Sequence, residues 1–228
     1  IIFHSHSNIG KLPLKYTILI PIYKLIGNRF FACSNDAAKY FFGNRITNST
    51  KYYLAKNAIN PVKFLYNSEE RINIRHLYNI SEDVTLLGYV GRLSSEKNIR
   101  YLLDIILYLN KDGHKVKGII IGDGPEKNNL VNYIKEKELG DYIIFTGNCE
   151  SLGGYLSAMD ALVLPSFHEG LGIVLVEAQA ASLMCFASDR VPEETKISNL
   201  IHYFSILDSP RTTASMIMRT KAEFKYGR

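Results

Sequence analysis

Short apolar runs recur along this chain, and each is separated from the next by a longer stretch of helical character. In the second half they read "VTLLGYVG", "VKGIIIG", "YIIFTG", "ALVLPS" and "MCFAS"; before them stand "IIFH", "RFFACS" and "KYYLA". These runs do not alternate apolar with polar residues, so strands made from them are buried on both faces. Buried strands with helices between them make a parallel sheet covered on both sides. The helical pattern is expected over Lys15 to Ile26, Asp36 to Phe42, Asn98 to Asn110, Glu126 to Glu138, Leu152 to Met159 and Ile173 to Ser182.

One stretch breaks the alternation. From Asn60 to Asp83 the chain is polar, holds Pro61 and carries "NSEERINIRHLYNI". It reads as an inter-domain connection with short helices of its own. The expected organisation is therefore α/β with two Rossmann-like, doubly wound parallel-sheet domains, the first incomplete. Residues 1–60 are the remnant of the first domain, 61–83 the connection, 84–207 the second domain, and 208–228 the start of a C-terminal helix. Because the chain opens on Ile1 directly into an apparent strand, it reads as part of a longer protein.

With 46% hydrophobic and 21% charged residues the chain is composed like a globular protein, not a disordered one. A net charge of +5 suits anionic small molecules or an anionic membrane face and is too weak to imply nucleic acid. Cys33, Cys149 and Cys185 have neither metal nor redox spacing, which points to a reduced compartment. The segment "YTILIPIYKLI" has about half the ~20 residues of a membrane span and is broken by Pro21 and Lys24. A buried helix is the preferred reading there, with a helix lying on a membrane surface second.

In open parallel sheets ligands bind beyond the carboxyl ends of the strands. After "GYVG" come Arg92 and "LSSEKN", with Lys97 opening a helix. Two cations beside helix-terminal amides suit a diphosphate, or they form a solvated surface pair with Glu96. "GDGP" after "III" is accounted for by turn chemistry. "EGLG" places Glu169, Gly170, Leu171 and Gly172 just before an apolar helix. Its glycine amides can approach an oxyanion closely, while Glu169 could merely favour the helix terminus. Glu177 lies inside that helix. An unpaired carboxylate there costs several kcal/mol unless donors reach it, and vicinal ribose hydroxyls would serve. His4 and His6 share one face of a strand end, without further ligands for a metal.

Taken in order, "ACS", "NAIN", "GR", "EKN", "GDG", "FTG", "AMD" and "PSFHEGLGIVLVEAQAA" resemble the retaining glycosyltransferases of family 4, also called glycosyl transferases group 1. The resemblance runs from about Ile1 to Leu207 and is nearest to capsular and exopolysaccharide enzymes. Glu169 and Glu177 stand eight residues apart, as the glutamate pair of that family does. The resemblance implies the GT-B fold and transfer of a sugar from a nucleotide sugar, with a UDP-sugar expected, to a glycan or lipid-linked acceptor with retention.

Carried over residue by residue, it assigns Arg92 and Lys97 to the donor diphosphate and Gly170, Leu171 and Gly172 to the loop beneath sugar and phosphate. Glu177 is assigned to the ribose hydroxyls and Glu169 to the transferred sugar. His6, rather than His4, is assigned to reaching that sugar from the first domain. It further implies no metal and no cofactor, no nucleic acid partner, a cytoplasmic site of action and peripheral contact with the inner membrane face. This chain by itself is expected to be inactive. A non-catalytic nucleotide-sugar-binding domain and a GT-B nucleotide-sugar epimerase are the alternatives.

Overall fold

The computed structural model describes residues 1–5, 14–55 and 57–224. These divide into two compact units, the first comprising Ile1–Ile59, His168–Ile173 and Val191–Thr195, the second Asn60–Phe167, Val174–Arg190 and Lys196–Arg228.

The first unit holds strands β1 (Ile2–Ser5), β2 (Arg29–Ala32) and β3 (Tyr52–Leu54), paired in parallel in that order, with helices α1 (Leu14–Ile26) and α2 (Asn35–Thr47) between them. Ser34 caps α2 by accepting from the Ala37 amide at 3.1 Å. The helix is interrupted at Gly43, whose φ of 72° is cheap only for glycine, one residue beyond the expected end. Phe30, Ala32, Cys33, Ala37, Ala38 and Phe42 form its core. The preference for a buried "YTILIPIYKLI" is corrected here. Ile22, Leu25 and Ile26, spaced three and four apart on one helical face, are 49%, 85% and 43% exposed.

The second unit is a six-stranded, all-parallel sheet. Its strands are β4 (Thr85–Val90), β5 (Val116–Ile121), β6 (Ile143–Gly147), β7 (Ala161–Leu164), β8 (Met184–Ser188) and β9 (Ile201–Phe204), in the spatial order β6-β5-β4-β7-β8-β9. The order reverses between β4 and β7, which pair through Leu87 with Ala161 and Gly88 with Leu162. Since parallel crossovers are right-handed, α4 (Ile99–Lys111) and α5 (Lys127–Glu136) lie on one face and α7 (Ile173–Ala180) on the other. Buried Leu86, Leu87, Ile119, Ile120, Leu162, Val163 and Phe186 fill the middle, as the continuous apolar runs require. A further helix, α8 (Pro210–Glu223), packs on α4, where Tyr101 stacks on Phe204 and shares a 2.7 Å hydrogen bond with Thr213.

Within residues 61–83 stands α3 (Ser68–Leu77), capped by Asn67, and it packs on α6 (Gly153–Ala158) as part of the second unit. Arg75 is 1% exposed and donates to the carbonyls of Ala158, Ser81 and Val84 at 2.9, 2.7 and 2.6 Å. Arg71 and Arg75 both pair with Asp160, whose other donor is the Leu86 amide at 2.7 Å. The glycines of α6 explain the close fit. A Cβ on Gly153 would stand 2.6 Å from the Lys63 carbonyl, and one on Gly154 2.5 Å from the Glu70 carboxylate.

Candidate active site at the sheet's switch point

Loops leaving the carboxyl ends of β4, β5 and β6 are laced by their own backbones. Gly91 donates to the Ile121 carbonyl, Leu93 to Asp123 and Gly122 to Gly147, at 3.0, 3.0 and 2.8 Å. A Cβ on Gly122 would stand 2.0 Å from the Gly91 carbonyl, and one on Gly124 2.3 Å from the Leu93 carbonyl. The glycines of "GDGP" thus let two strand-end loops touch, which is what a turn reading of that motif requires.

Arg92 rides on this frame. The buried Tyr89 hydroxyl donates to its carbonyl at 3.0 Å, while its side chain is exposed beyond the strand end. A short 3₁₀ turn, Ser95–Lys97, follows, and Asn98 in left-handed conformation turns the chain into α4. Lys97 is half-buried. Glu96 is engaged locally: its carboxylate accepts from the Ser94 hydroxyl at 2.7 Å. That hydrogen bond, with smaller contributions from Lys97 and Arg92, holds its pKa below the usual carboxylate value. The loop after β7 joins the same frame, because the Phe167 amide donates to the Glu96 carbonyl at 2.8 Å.

Glu177 belongs to α7, whose core face is Val174, Leu175, Ala178 and Gln179. It is half-buried, and among the described residues no hydrogen bond or ion pair reaches its carboxylate; burial alone raises its pKa. The contrast with Gln179, two residues on, is sharp. Gln179 is buried, and its carbonyl oxygen accepts from the amides of Ile197 and Ser198 and from the Ser198 hydroxyl, at 3.2, 3.0 and 2.9 Å. The fold satisfies one polar side chain of this helix and leaves the other open. Sequence reasoning did not single out Gln179 or Ser94, since their partners depend on loops folding back.

Arg92, Lys97 and Glu177 thus all lie in the second unit, on the loop and helix that follow the two strands at the switch point. Glu169, Gly170, Leu171 and Gly172 are half-buried and belong to the first unit; Gly172 has a φ of 69°, a glycine conformation, directly before α7. His6 lies outside the described residues. Among the described residues no cluster of three or more His, Cys, Asp or Glu is placed to hold a metal, and no helix is long and apolar enough to cross a membrane.

The model of one protein family, glycosyl transferases group 1, matches residues 70–199, more than half of the chain. The chain belongs to the glycosyl transferases group 1 family. Among its relatives, the glycosyltransferase EpsF of Bacillus subtilis (strain 168) is 29% identical over 192 residues, covering 84% of this chain and 50% of EpsF. The amylovoran biosynthesis glycosyltransferase AmsD of Erwinia amylovora is 35% identical over 100 residues, 44% of this chain and 28% of AmsD. The chain therefore spans half or less of the length of these relatives. In structure it is similar to HepE of Anabaena in complex with UDP-glucose, with a TM-score of 0.84 at 15% identity over 98% of this chain and 63% of HepE. The fold is that of the GT-B glycosyltransferases, as expected from the sequence.

Proposed function

We propose that this chain is the donor-binding part of a retaining glycosyltransferase that moves a sugar from a UDP-sugar to a glycan or lipid-linked acceptor during assembly of a cell-surface polysaccharide. Glu177 carries the reading. A half-buried carboxylate that no donor reaches among the described residues, beside the switch point of a doubly wound sheet, suits a ligand with two adjacent hydroxyls, and a ribose has them. HepE, bound to UDP-glucose, and AmsD, named for amylovoran biosynthesis, support the donor and pathway classes.

In this reading Arg92 and Lys97 neutralise the diphosphate as it leaves with the electrons of the broken glycosidic bond. The Gly170, Leu171 and Gly172 amides would add fixed donors to the same oxygens. Positive charge from the protein takes the place of a metal ion. Glu169 and His6 keep the roles at the transferred sugar that the sequence resemblance assigns them, and the acceptor attacks from the face the diphosphate leaves. Since the chain spans half of EpsF, it is expected to bind donor without transferring the sugar by itself.

The test is to incubate the chain, and a longer natural chain containing it, with a panel of UDP-, GDP- and ADP-sugars, with and without a lipid-linked glycan acceptor. Acceptor-dependent release of UDP with the donor's anomeric configuration kept in the product supports the reading. Inverted product refutes retention, and sugar interconversion without acceptor points to an epimerase.

A further inference from the structure

The loop from Arg92 to Lys97 has a second side. A cavity of about 310 Å³ opens where it meets the loops that leave β5 and β7, and neither Arg92, Lys97 nor Glu177 lines it. Its floor is Ser94, Ile99 and Leu130, which are buried. Around the floor stand Phe167, 43% exposed, and the polar side chains of Ser95, Asn98, Arg100 and Glu126. All of these residues belong to the second unit.

The walls are held by backbone hydrogen bonds. The Phe167 amide donates to the Glu96 carbonyl at 2.8 Å, the Glu126 amide to the Leu93 carbonyl at 2.9 Å and the Tyr101 amide to the Asn98 carbonyl at 3.0 Å. Filling a cavity fixed in this way orders little of the protein. The volume stands at the lower end of the range for small-molecule pockets, ~300–1,000 Å³. The cavity also opens at the carboxyl ends of the strands, where parallel sheets take their ligands.

The walls select the chemistry of an occupant. Arg100 and Glu126 carry opposite charges, and among the described residues neither is in an ion pair. Arg100 lies over the Tyr133 ring, 5.3 Å from its centroid, and the Glu126 carboxylate accepts from Asn129 at 3.2 Å. Their charges offset, so a phosphate gains little there, while an apolar ligand would strip water from polar groups without replacing it. The guanidinium, the carboxylate and the Asn98 amide, which caps no helix amide, each present paired donors or acceptors that match adjacent hydroxyls. Phe167 adds an aromatic face, negative at its centre, that suits the C–H face of a sugar ring.

We propose that this cavity is a subsite for one neutral pyranose unit of a glycan, seated on Phe167 with its hydroxyls on Arg100, Glu126 and Asn98. The subsite is separate from the donor site and does not depend on what Arg92, Lys97 and Glu177 bind.

Saturation-transfer NMR on the chain tests it, with the methyl glycosides of glucose, galactose, mannose and N-acetylglucosamine as probes. At least one glycoside should bind, and neither saturating UDP nor inorganic phosphate should displace it. Phe167→Ala should bind that glycoside roughly fivefold or more weakly, and Glu126→Gln should weaken it too. UDP affinity, read by calorimetry, should be the same in Phe167→Ala as in the wild type, and far-UV circular dichroism confirms that both variants fold. Absence of binding by every glycoside, or binding untouched by Phe167→Ala, would overturn the proposal. Displacement by UDP would place the glycoside in the donor site, and displacement by phosphate would make the cavity an anion site; either result overturns it as well. A chain that binds a glycoside but not UDP fails the donor reading alone, and one that binds UDP but no glycoside fails this proposal alone.

Discussion

The Phe167 amide donates to the Glu96 carbonyl at 2.8 Å, tying the loop that leaves β7 to the loop that leaves β4. These are the two strands between which the sheet order reverses. Arg92 and Lys97, on either side of Leu93 to Glu96, are therefore presented from a braced loop rather than a loose one. The bracing spares a ligand part of the entropy of ordering it.

If that loop holds a diphosphate, Arg92→Ala and Lys97→Ala should each weaken UDP far more than uridine, because only UDP carries the charge they neutralise. Calorimetry with both ligands checks this. Equal losses for UDP and uridine would assign the two residues to structure or to the base.

Glu177 yields a prediction about stability with the opposite sign from its role in binding. Burial raises its folded pKa above the ordinary glutamate value, so the native state disfavours the charged form. The stability contributed by the protonated form is full below the ordinary value and is lost as pH rises through the folded value. Glu177→Gln keeps the shape and cannot ionise. The variant without ligand should therefore be as stable as wild type in acid and more stable near neutral pH, as read from urea midpoints across pH. A variant less stable than wild type at neutral pH would mean that the carboxylate has a protein partner.

Gly153 sets helix propensity against packing. Alanine is favoured over glycine inside a helix by ~1 kcal/mol, yet its Cβ would stand 2.6 Å from the Lys63 carbonyl. We expect Gly153→Ala to destabilise the second unit by ~1–3 kcal/mol, as overpacking does. A raised Tm would show that the segment around Lys63 yields easily.

Arg75→Met tests the buried network on α3. The substitution removes three hydrogen bonds to carbonyls and one partner of Asp160. Breaking one side of a buried pair costs ~3–5 kcal/mol, and a chemical denaturation curve should show a loss of that size. Arg71 still holds Asp160 at 3.0 Å, so a change under ~1 kcal/mol would mean that it suffices alone.

The alternation of continuous apolar runs with helices predicted eight of the strands seen here and their parallel pairing. Strand β9 was not anticipated, because "IHYF" is short and mixes His202 with its apolar residues, and it becomes a strand only by pairing with β8. The charges of α3 suggested an inter-domain connection. Glu69 and Glu70 stay exposed, but Arg71 is half-buried and Arg75 buried, because Asp160, the partner of both arginines, lies 85 or more residues away in sequence. Periodicity reports which face of a helix is apolar, but not whether a distant carboxylate will come to meet an arginine. The same limit applied to α7: the sequence marks Glu177 and Gln179 alike as polar residues in an apolar helix, and only the loop around Ile197 and Ser198 separates their fates.

The central claim is that Glu177 waits for a ligand's hydroxyls. The most direct measurement is titration calorimetry of UDP into the wild-type chain and into Glu177→Ala. The account predicts that the variant folds and loses ~1–3 kcal/mol of UDP affinity, the worth of hydrogen bonds to a charged group. Undiminished UDP affinity in a folded Glu177→Ala would contradict it.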